Sequence, residues 1–226
     1  MPDVFWSGDR VFTVLNIGGR LSEQRRSHWD GVYAAKSLSE ASWHQPRPVL
    51  SLELIRSCQL DPTAGIIDVG GGTSSLVDEL LAAGGSNLAV LDISTIAIEH
   101  TRYRLKSNAD LVEWYTIDVT EFDPPRQFGL WHDRAVFHFL TDASDRTSYR
   151  QSLLEAVKPQ GYAIVATFAL DGPKRCSGLD VVRYSPESLG TELGEEFGLV
   201  ASRNEIHRTP SGGEQKFVYC VFRRTG

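Results

Sequence analysis

Three cysteines in 226 residues, Cys58, Cys176 and Cys220, are too few and too far apart for a disulfide framework or a CxxC metal pair. No metal site is expected. Positive charge is also in short supply, with 23 Lys and Arg against 29 Asp and Glu and a formal net charge of -6. Such a chain lacks the basic footprint for sequence-independent contact with phosphate backbones, so no nucleic-acid partner is expected. Long apolar runs are missing as well; none approaches the roughly 18 residues of a membrane span. The opening Met1-Pro2-Asp3 has neither the basic start nor the apolar middle of a secretory signal. The expectation is a cytoplasmic protein with no membrane partner.

What remains is a chain with 41% hydrophobic residues, long enough for one sizeable core. Residues 1–26 contain the apolar stretch Val11 to Ile17 and then Gly18-Gly19, where a turn is expected; this part reads as an arm or an added strand. The domain proper is taken as 27–226. It opens with two helices in series over 27–60, separated at Pro46 and Pro48, which disfavour helix at the residues before them.

From Gly65 onward short apolar runs alternate with helical patterns. Strands are expected at 65–69, 88–91, 112–117, 128–131 and 162–168. Between them lie helices at 74–83, 95–106 and 145–157. A further helix after Ser185 precedes two strands, 197–205 and 215–222, joined through Pro210-Ser211-Gly212-Gly213 as a hairpin. This alternation predicts an α/β fold, a Rossmann-like doubly wound seven-stranded sheet. It should be mostly parallel, with an antiparallel strand in the C-terminal hairpin and helices on both faces.

In such a sheet the ligand crevice lies beyond the carboxyl ends of the strands. Strands one to four each end in an aspartate: Asp68, Asp92, Asp118 and Asp133. Carboxylates gathered at one crevice repel one another unless a cationic, hydrogen-bonding ligand enters. The loop Asp68-Val69-Gly70-Gly71-Gly72-Thr73 lets backbone approach a ligand closely. Asp92 follows Asp68 by 24 positions, close to the spacing of about 20 at which an acid grips ribose hydroxyls. Ser75 stands where a pyrophosphate-binding turn has its third glycine, and Tyr149 is followed by Leu153 rather than by the lysine of a Tyr-x-x-x-Lys pair. Both count against a nicotinamide-dependent oxidoreductase.

The segments Asp68 to Thr73, Leu91-Asp92-Ile93-Ser94 and Thr116-Ile117-Asp118-Val119 resemble class I S-adenosylmethionine-dependent methyltransferases, over about residues 27 to 222. The resemblance implies S-adenosylmethionine as donor and S-adenosylhomocysteine as product. It implies that Gly70 and Gly72 lie against the methionine part, that Asp92 holds the ribose and that Asp118 with Val119 flanks the adenine, with Asp133 near the amino group or the reacting methyl; Asp68 and Ile93 count with them as donor-binding residues. His28-Trp29-Asp30-Gly31-Val32-Tyr33 resembles the opening of a subgroup of these enzymes, and so Trp29, Tyr33 and Trp43 are candidates for closing the donor pocket.

Methyl transfer is an in-line displacement at a sulfonium, so alignment and exclusion of water matter most, and a base is needed only for a protonated nucleophile. After strand four, His132-Asp133-Arg134-Ala135-Val136-Phe137-His138 offers Asp133, Arg134 and His138 as candidate catalytic groups, Arg134 through its planar fork and His138 as base. His132 reads better as merely packed, with Arg134 paired to a nearby aspartate as the bland alternative to its catalytic role. Residues 169–184 have the polarity of a covering loop. Cys176 within it could touch substrate, although a single loop cysteine is more often incidental. The acceptor is read as a small-molecule nucleophile, with protein lysine as the alternative; a non-catalytic adenosyl-ligand-binding protein would need the same donor residues. Oligomeric state is not legible.

Overall fold

The computed structural model describes residues 17–35 and 38–226. The expectation for residues 1–16 lies outside them. Helix α1 spans Ile17–Ala35, so Gly18 and Gly19 sit inside a helix and not at the expected turn. The arm boundary drawn at residue 26 also falls within this helix. Two glycines cost a helix about 1 kcal/mol each against alanine, a penalty that the docking of α1 along the next helical layer offsets. After a 3-10 turn at Leu38–Glu40 and the Pro46 and Pro48 break comes α2, Val49–Ser57, which buries Ser51, Leu52, Leu54 and Ile55.

The alternating part follows as β1 Ile66–Val69, α3 Leu76–Ala82, β2 Leu88–Asp92, α4 Thr95–Leu105, β3 Val112–Thr116, β4 Phe128–Arg134, α5 Ala143–Ala156 and β5 Val157–Phe168. A two-stranded ribbon, β6 Arg175–Cys176 and β7 Leu179–Asp180, turns tightly through Ser177 and Gly178, both at positive φ. Then come α6 Pro186–Leu193, capped by Ser185, and the hairpin β8 Phe197–Arg208 with β9 Glu214–Arg224.

The seven strands lie in the order β3-β2-β1-β4-β5-β9-β8, with β9 antiparallel to both neighbours and every other pairing parallel. This is the expected sheet. Several strands run longer than expected, β4 and β5 among them. β4 continues to Arg134 because Asp133 and Arg134 still pair with Val165 and Ala166 of β5, although three polar residues in a row hide this in the sequence. β5 starts at Val157, before an irregularity that shifts its register on β4 between Phe128 and Leu130.

Hydrophobic clusters fill both faces. Phe128, Trp131, Tyr149 and Phe222 are fully buried on one, and Leu76, Leu130, Phe168 and Tyr219 on the other. The strand order reverses between β1 and β4, which places the crevice at their carboxyl ends.

Candidate active site

The floor of the crevice is the loop after β1. The backbone N–H groups of Gly70 and Gly71 both donate to Leu91 O, tying the loop to β2. Gly70 has φ +64, and a Cβ there would lie 2.0 Å from Val136 Cγ2; Gly72 has φ +41, and a Cβ would lie 2.6 Å from the Tyr33 hydroxyl and 2.8 Å from Asp92 Oδ2. Neither position has room for a side chain. At the end of β2 the Asp92 carboxylate accepts from Ser94 N at 2.8 Å. Burial pushes its pKa up to about 7 against that bond, and the neighbouring Asp68 and Asp30 carboxylates push the same way. This is the electrostatic strain expected of gathered aspartates, and a cation would relieve it.

The roof is α1. Arg25, Trp29 and Tyr33 recur every fourth residue and line one cavity with Gly70, Leu91, Asp92, Ile93, Ile117, Asp118 and Val119 below them. The helix is pinned by polar contacts. Asp30 accepts from Ser94 Oγ at 2.6 Å, over the start of α4, and Arg25 pairs with Asp118 at 3.0 Å and with Asp145. Asp118 uses its other oxygen on Thr120, capping a 3-10 turn. Trp29 meets Phe139 at 5.0 Å, Trp43 at 6.0 Å and Tyr33 at 6.3 Å between ring centroids, an aromatic wall at the far end of the cavity. Ala135, Val136, Phe139, Leu140, Cys176 and Leu179 complete that end. The cavity measures about 930 Å³, and a second, more polar one of about 540 Å³ lies beside it, lined in part by Ser51, Asp68, Gly71, His132 and Arg134.

Arg134 stands where the two cavities meet. Its Nε donates to the Tyr219 hydroxyl at 2.8 Å and its Nη1 to Trp43 O at 3.1 Å, while the guanidinium lies 4.5 Å over the Phe217 ring. Its Nη2, 3.7 Å from Glu205, is buried with no hydrogen-bond partner among the described residues. Asp68 is similar: Oδ1 takes the His132 Nδ1–H at 2.7 Å, and Oδ2 is buried with none.

Residues 67–163 match the family model described as a methyltransferase domain. Over these residues the chain carries a methyltransferase domain. Among solved structures, the N-methyltransferase NodS from Bradyrhizobium japonicum WM9 in complex with S-adenosylhomocysteine is 17% identical, with a TM-score of 0.65 over 88% of this chain and 97% of that one. The 1,6-didemethyltoxoflavin-N1-methyltransferase of Burkholderia thailandensis is 16% identical, with a TM-score of 0.67 over 100% of this chain and 94% of that one. A structure from work on the conversion of a disulfide bond into a thioacetal group during echinomycin biosynthesis reaches a TM-score of 0.72 at 16% identity, over 88% and 91%. At these identities the likeness speaks for the fold alone. No curated protein matches the sequence significantly.

Of the positions read from the sequence, this methyltransferase brings Trp29, Tyr33, Trp43, Gly70, Asp92, Ile93, Asp118, Val119 and Arg134 to one cavity, with Gly72 behind Tyr33 and Asp68 in the adjoining polar cavity. Asp133 departs from its expected place. Side chains alternate along a strand, and β4 runs on to residue 134, so His132 and Arg134 face the cavities while Asp133 turns the other way with Trp131. There it is fully buried, accepting from the Tyr149 hydroxyl and from Val136 N and Phe137 N. Burial pushes its pKa up to about 6 despite those bonds. It braces the turn after β4 and lines neither cavity.

His138 also departs. It is fully buried, accepts from Phe168 N at Nδ1, and packs against Phe139 and Phe168. Burial, with Arg134 nearby, lowers its pKa to about 3, so it is a neutral core residue and lines neither cavity. His132, read as merely packed, is instead hydrogen-bonded to Asp68 and Ser51. Cys176, expected on a loop, is buried and contributes to the larger cavity from β6.

Sequence reasoning missed Ser51, Phe139 and Glu205, and passed over Arg25. The spacing of Arg25, Trp29 and Tyr33 was a usable signal for the last; Ser51 and Glu205 come from distant elements and carry none.

Proposed function

We propose that this enzyme transfers a methyl group from S-adenosylmethionine to a small-molecule nucleophile held at the aromatic end of the larger cavity. The observation that carries this reading is the continuity of that cavity, from the Asp92, Ile93, Asp118 and Val119 end to the wall of Trp29, Trp43 and Phe139. Asp92 with Ile93 takes the ribose, Asp118 with Val119 the adenine, and Gly70, Gly72 and Asp68 the methionine end. The residues fit such a donor in three respects: glycines where a Cβ would intrude, a buried Asp92 carboxylate that calls for hydrogen-bond donors such as ribose hydroxyls, and an oxygen on Asp68 with no partner among the described residues.

The donor brings its methyl already activated on a sulfonium. The chain's part is to align and to exclude water. Trp29, Tyr33 and Trp43 close the cavity over the floor, and the aromatic faces favour a flat or cationic partner. Among the described residues at the acceptor end of this cavity, the Tyr33 hydroxyl and the Cys176 thiol are the groups whose deprotonated form could serve as a base, and burial raises Tyr33 well above its ordinary pKa. With Asp133 and His138 engaged elsewhere, the acceptor enters as an amine free base, a thiolate or another nucleophile that needs no enzymic base. The neighbours from Bradyrhizobium japonicum and Burkholderia thailandensis are N-methyltransferases, which supports an amine acceptor.

Calorimetric titration with S-adenosylmethionine, S-adenosylhomocysteine and a nicotinamide dinucleotide tests the donor. Binding of the adenosyl sulfur ligands alone is expected, and binding of the dinucleotide alone would overturn it. A mass-spectrometric screen of small amines and thiols for a one-methyl gain then tests the acceptor class. Methylation of lysine in a protein substrate, with no small acceptor turned over, would sink that part.

A further inference from the structure

The end of β4 is tied to the C-terminal hairpin across an intervening strand. Arg134 of β4 pairs in register with Ala166 of β5, and Ala166 with Tyr219 of β9, so the three side chains form one row on the same sheet face. Ala166 contributes only a methyl group to that row, which leaves room for the long Arg134 side chain to cross β5. Its Nε reaches the Tyr219 hydroxyl at 2.8 Å, its guanidinium lies 4.5 Å over Phe217 of the same strand, and its Nη2 is ion-paired with Glu205 of β8 at 3.7 Å. Tyr219 in turn donates to Glu205 Oε2 at 3.0 Å. The remaining nitrogen, Nη1, donates to the carbonyl oxygen of Trp43 at 3.1 Å.

An arginine kept for an anionic ligand presents an open fork. This one has its charge met by Glu205 and its donors directed into the protein. The segment 41–48 that carries Trp43 is held at three points from the same side. Ser42 O accepts from His207 Nε2 at 2.8 Å, Trp43 O accepts from Arg134, and the Gln45 amide donates to Glu205 Oε1 at 3.0 Å. The path of these residues fixes the Trp43 ring against Tyr33 at 5.8 Å and Trp29 at 6.0 Å between centroids. Tyr219 and Glu205 line neither cavity, so any influence they have on a ligand passes through Arg134 and this segment. Linked polar contacts in a largely dry setting reinforce one another, and losing one loosens the rest.

We propose that Arg134, Tyr219 and Glu205 form a latch through which the C-terminal hairpin seats Trp43 over the larger cavity. They are positioning residues: Arg134 acts through the Trp43 backbone and not on the methyl acceptor, and the strength of the latch sets how long a ligand stays enclosed. The floor residues keep their contacts when the latch is cut, so the effect falls on the rate of release. The proposal rests on the donor reading above and adds to it what holds the cavity closed.

Two measurements test it. Stopped-flow displacement of S-adenosylhomocysteine gives the release rate, and fluorine NMR of protein labelled with 5-fluorotryptophan gives a Trp43 line, identified as the one lost in Trp43→Phe. Tyr219→Phe, which removes one oxygen and keeps the ring, and Glu205→Ala should each speed release about tenfold and broaden or move the Trp43 line. The lines of Trp114 in β3 and Trp131 in β4 should stay in place, as a check that the sheet is intact. Glu205→Gln keeps an oxygen for Gln45 and should recover part of both effects. The double variant of Tyr219→Phe with Glu205→Ala should fall short of the product of the single effects. Wild-type release rates in Tyr219→Phe and Glu205→Ala would overturn the proposal, and so would faster release with the Trp43 line unmoved. If only Arg134→Gln changes release, Arg134 sits on the ligand itself and the latch is wrong. The donor reading survives each of these results. Failure of the wild-type protein to bind S-adenosylhomocysteine would instead remove the donor reading, and the claim on release with it.

Discussion

The two sides of the large cavity are held by different forces. Its floor belongs to the sheet: β2 is buried at every residue, and Gly70 and Gly71 are fixed to Leu91 by backbone hydrogen bonds. Its roof, α1 and the strap at 41–48, is held by side chains reaching from elsewhere. Asp30 meets Ser94, Arg25 meets Asp118, the Ser42 carbonyl meets His207 Nε2, Gln45 meets Glu205, and Arg47 meets Glu79. A floor made of backbone keeps its shape whether or not a ligand is bound. A roof made of a few partly buried polar contacts and one aromatic cluster is the side expected to open for entry and exit.

Mutations should sort along that line. Gly70→Ala strikes the floor hardest, since it forces φ +64 on a residue with a Cβ and drives that carbon against Val136. We expect about 3 kcal/mol of lost stability in a denaturant melt and no detectable donor binding. A near-normal melt with retained binding would show the floor to be less rigid than its hydrogen bonds suggest.

Asp92→Ala comes next, with about 1.5–3 kcal/mol of donor affinity lost by calorimetry, the range for hydrogen bonds to a charged group. Its pH dependence has a definite sign. Because the folded pKa is raised to about 7, the folded protein holds a proton that the unfolded chain has released above about 4. The Asp92 contribution to the stability of the ligand-free protein is therefore full at low pH and falls as pH rises from about 4 to about 7. Asp92→Asn removes that dependence, so its Tm should gain on the wild type across the window and hold a constant lead above it. Donor binding, which favours the ionised carboxylate, should strengthen as pH rises through about 7 in the wild type and not in Asp92→Asn.

Breaking the roof should cost less. Asp30→Ala releases α1 from the start of α4, and about 1 kcal/mol of donor affinity should go with it. Limited proteolysis should cut α1 faster while the sheet stays intact, and unchanged proteolysis would mean that the rings alone hold the roof. The smallest effect belongs to Arg47→Ala, whose pair with Glu79 is largely exposed and should be worth less than about 0.5 kcal/mol in a melt.

The same division decided what could be read from the sequence. Floor residues announce themselves locally, because a short apolar strand, a glycine cluster and an acid at the next strand end are consecutive signals in one chain segment. Asp68, Gly70, Asp92 and Asp118 were legible for that reason. Asp133 followed the same rule and was misplaced, since its direction depends on where β4 stops and only the pairing of Asp133 and Arg134 with β5 settles that. His138 looked like a base because composition says nothing about a ring being enclosed by Phe139 and Phe168. The roof was legible in its aromatics and not in its anchors. Glu205 and His207 sit more than 150 residues away from the strap residues that they hold.

That distance also sets an order of events. Each anchor from β8 to the strap closes a loop of 160 residues or more, the slowest kind of contact for a folding polypeptide. As the chain leaves the ribosome, the glycine loop and its three neighbouring strands have their partners before the C-terminal hairpin exists. The strap must wait for that hairpin, so the enzyme acquires its binding floor early and its ability to seal a reaction from water last.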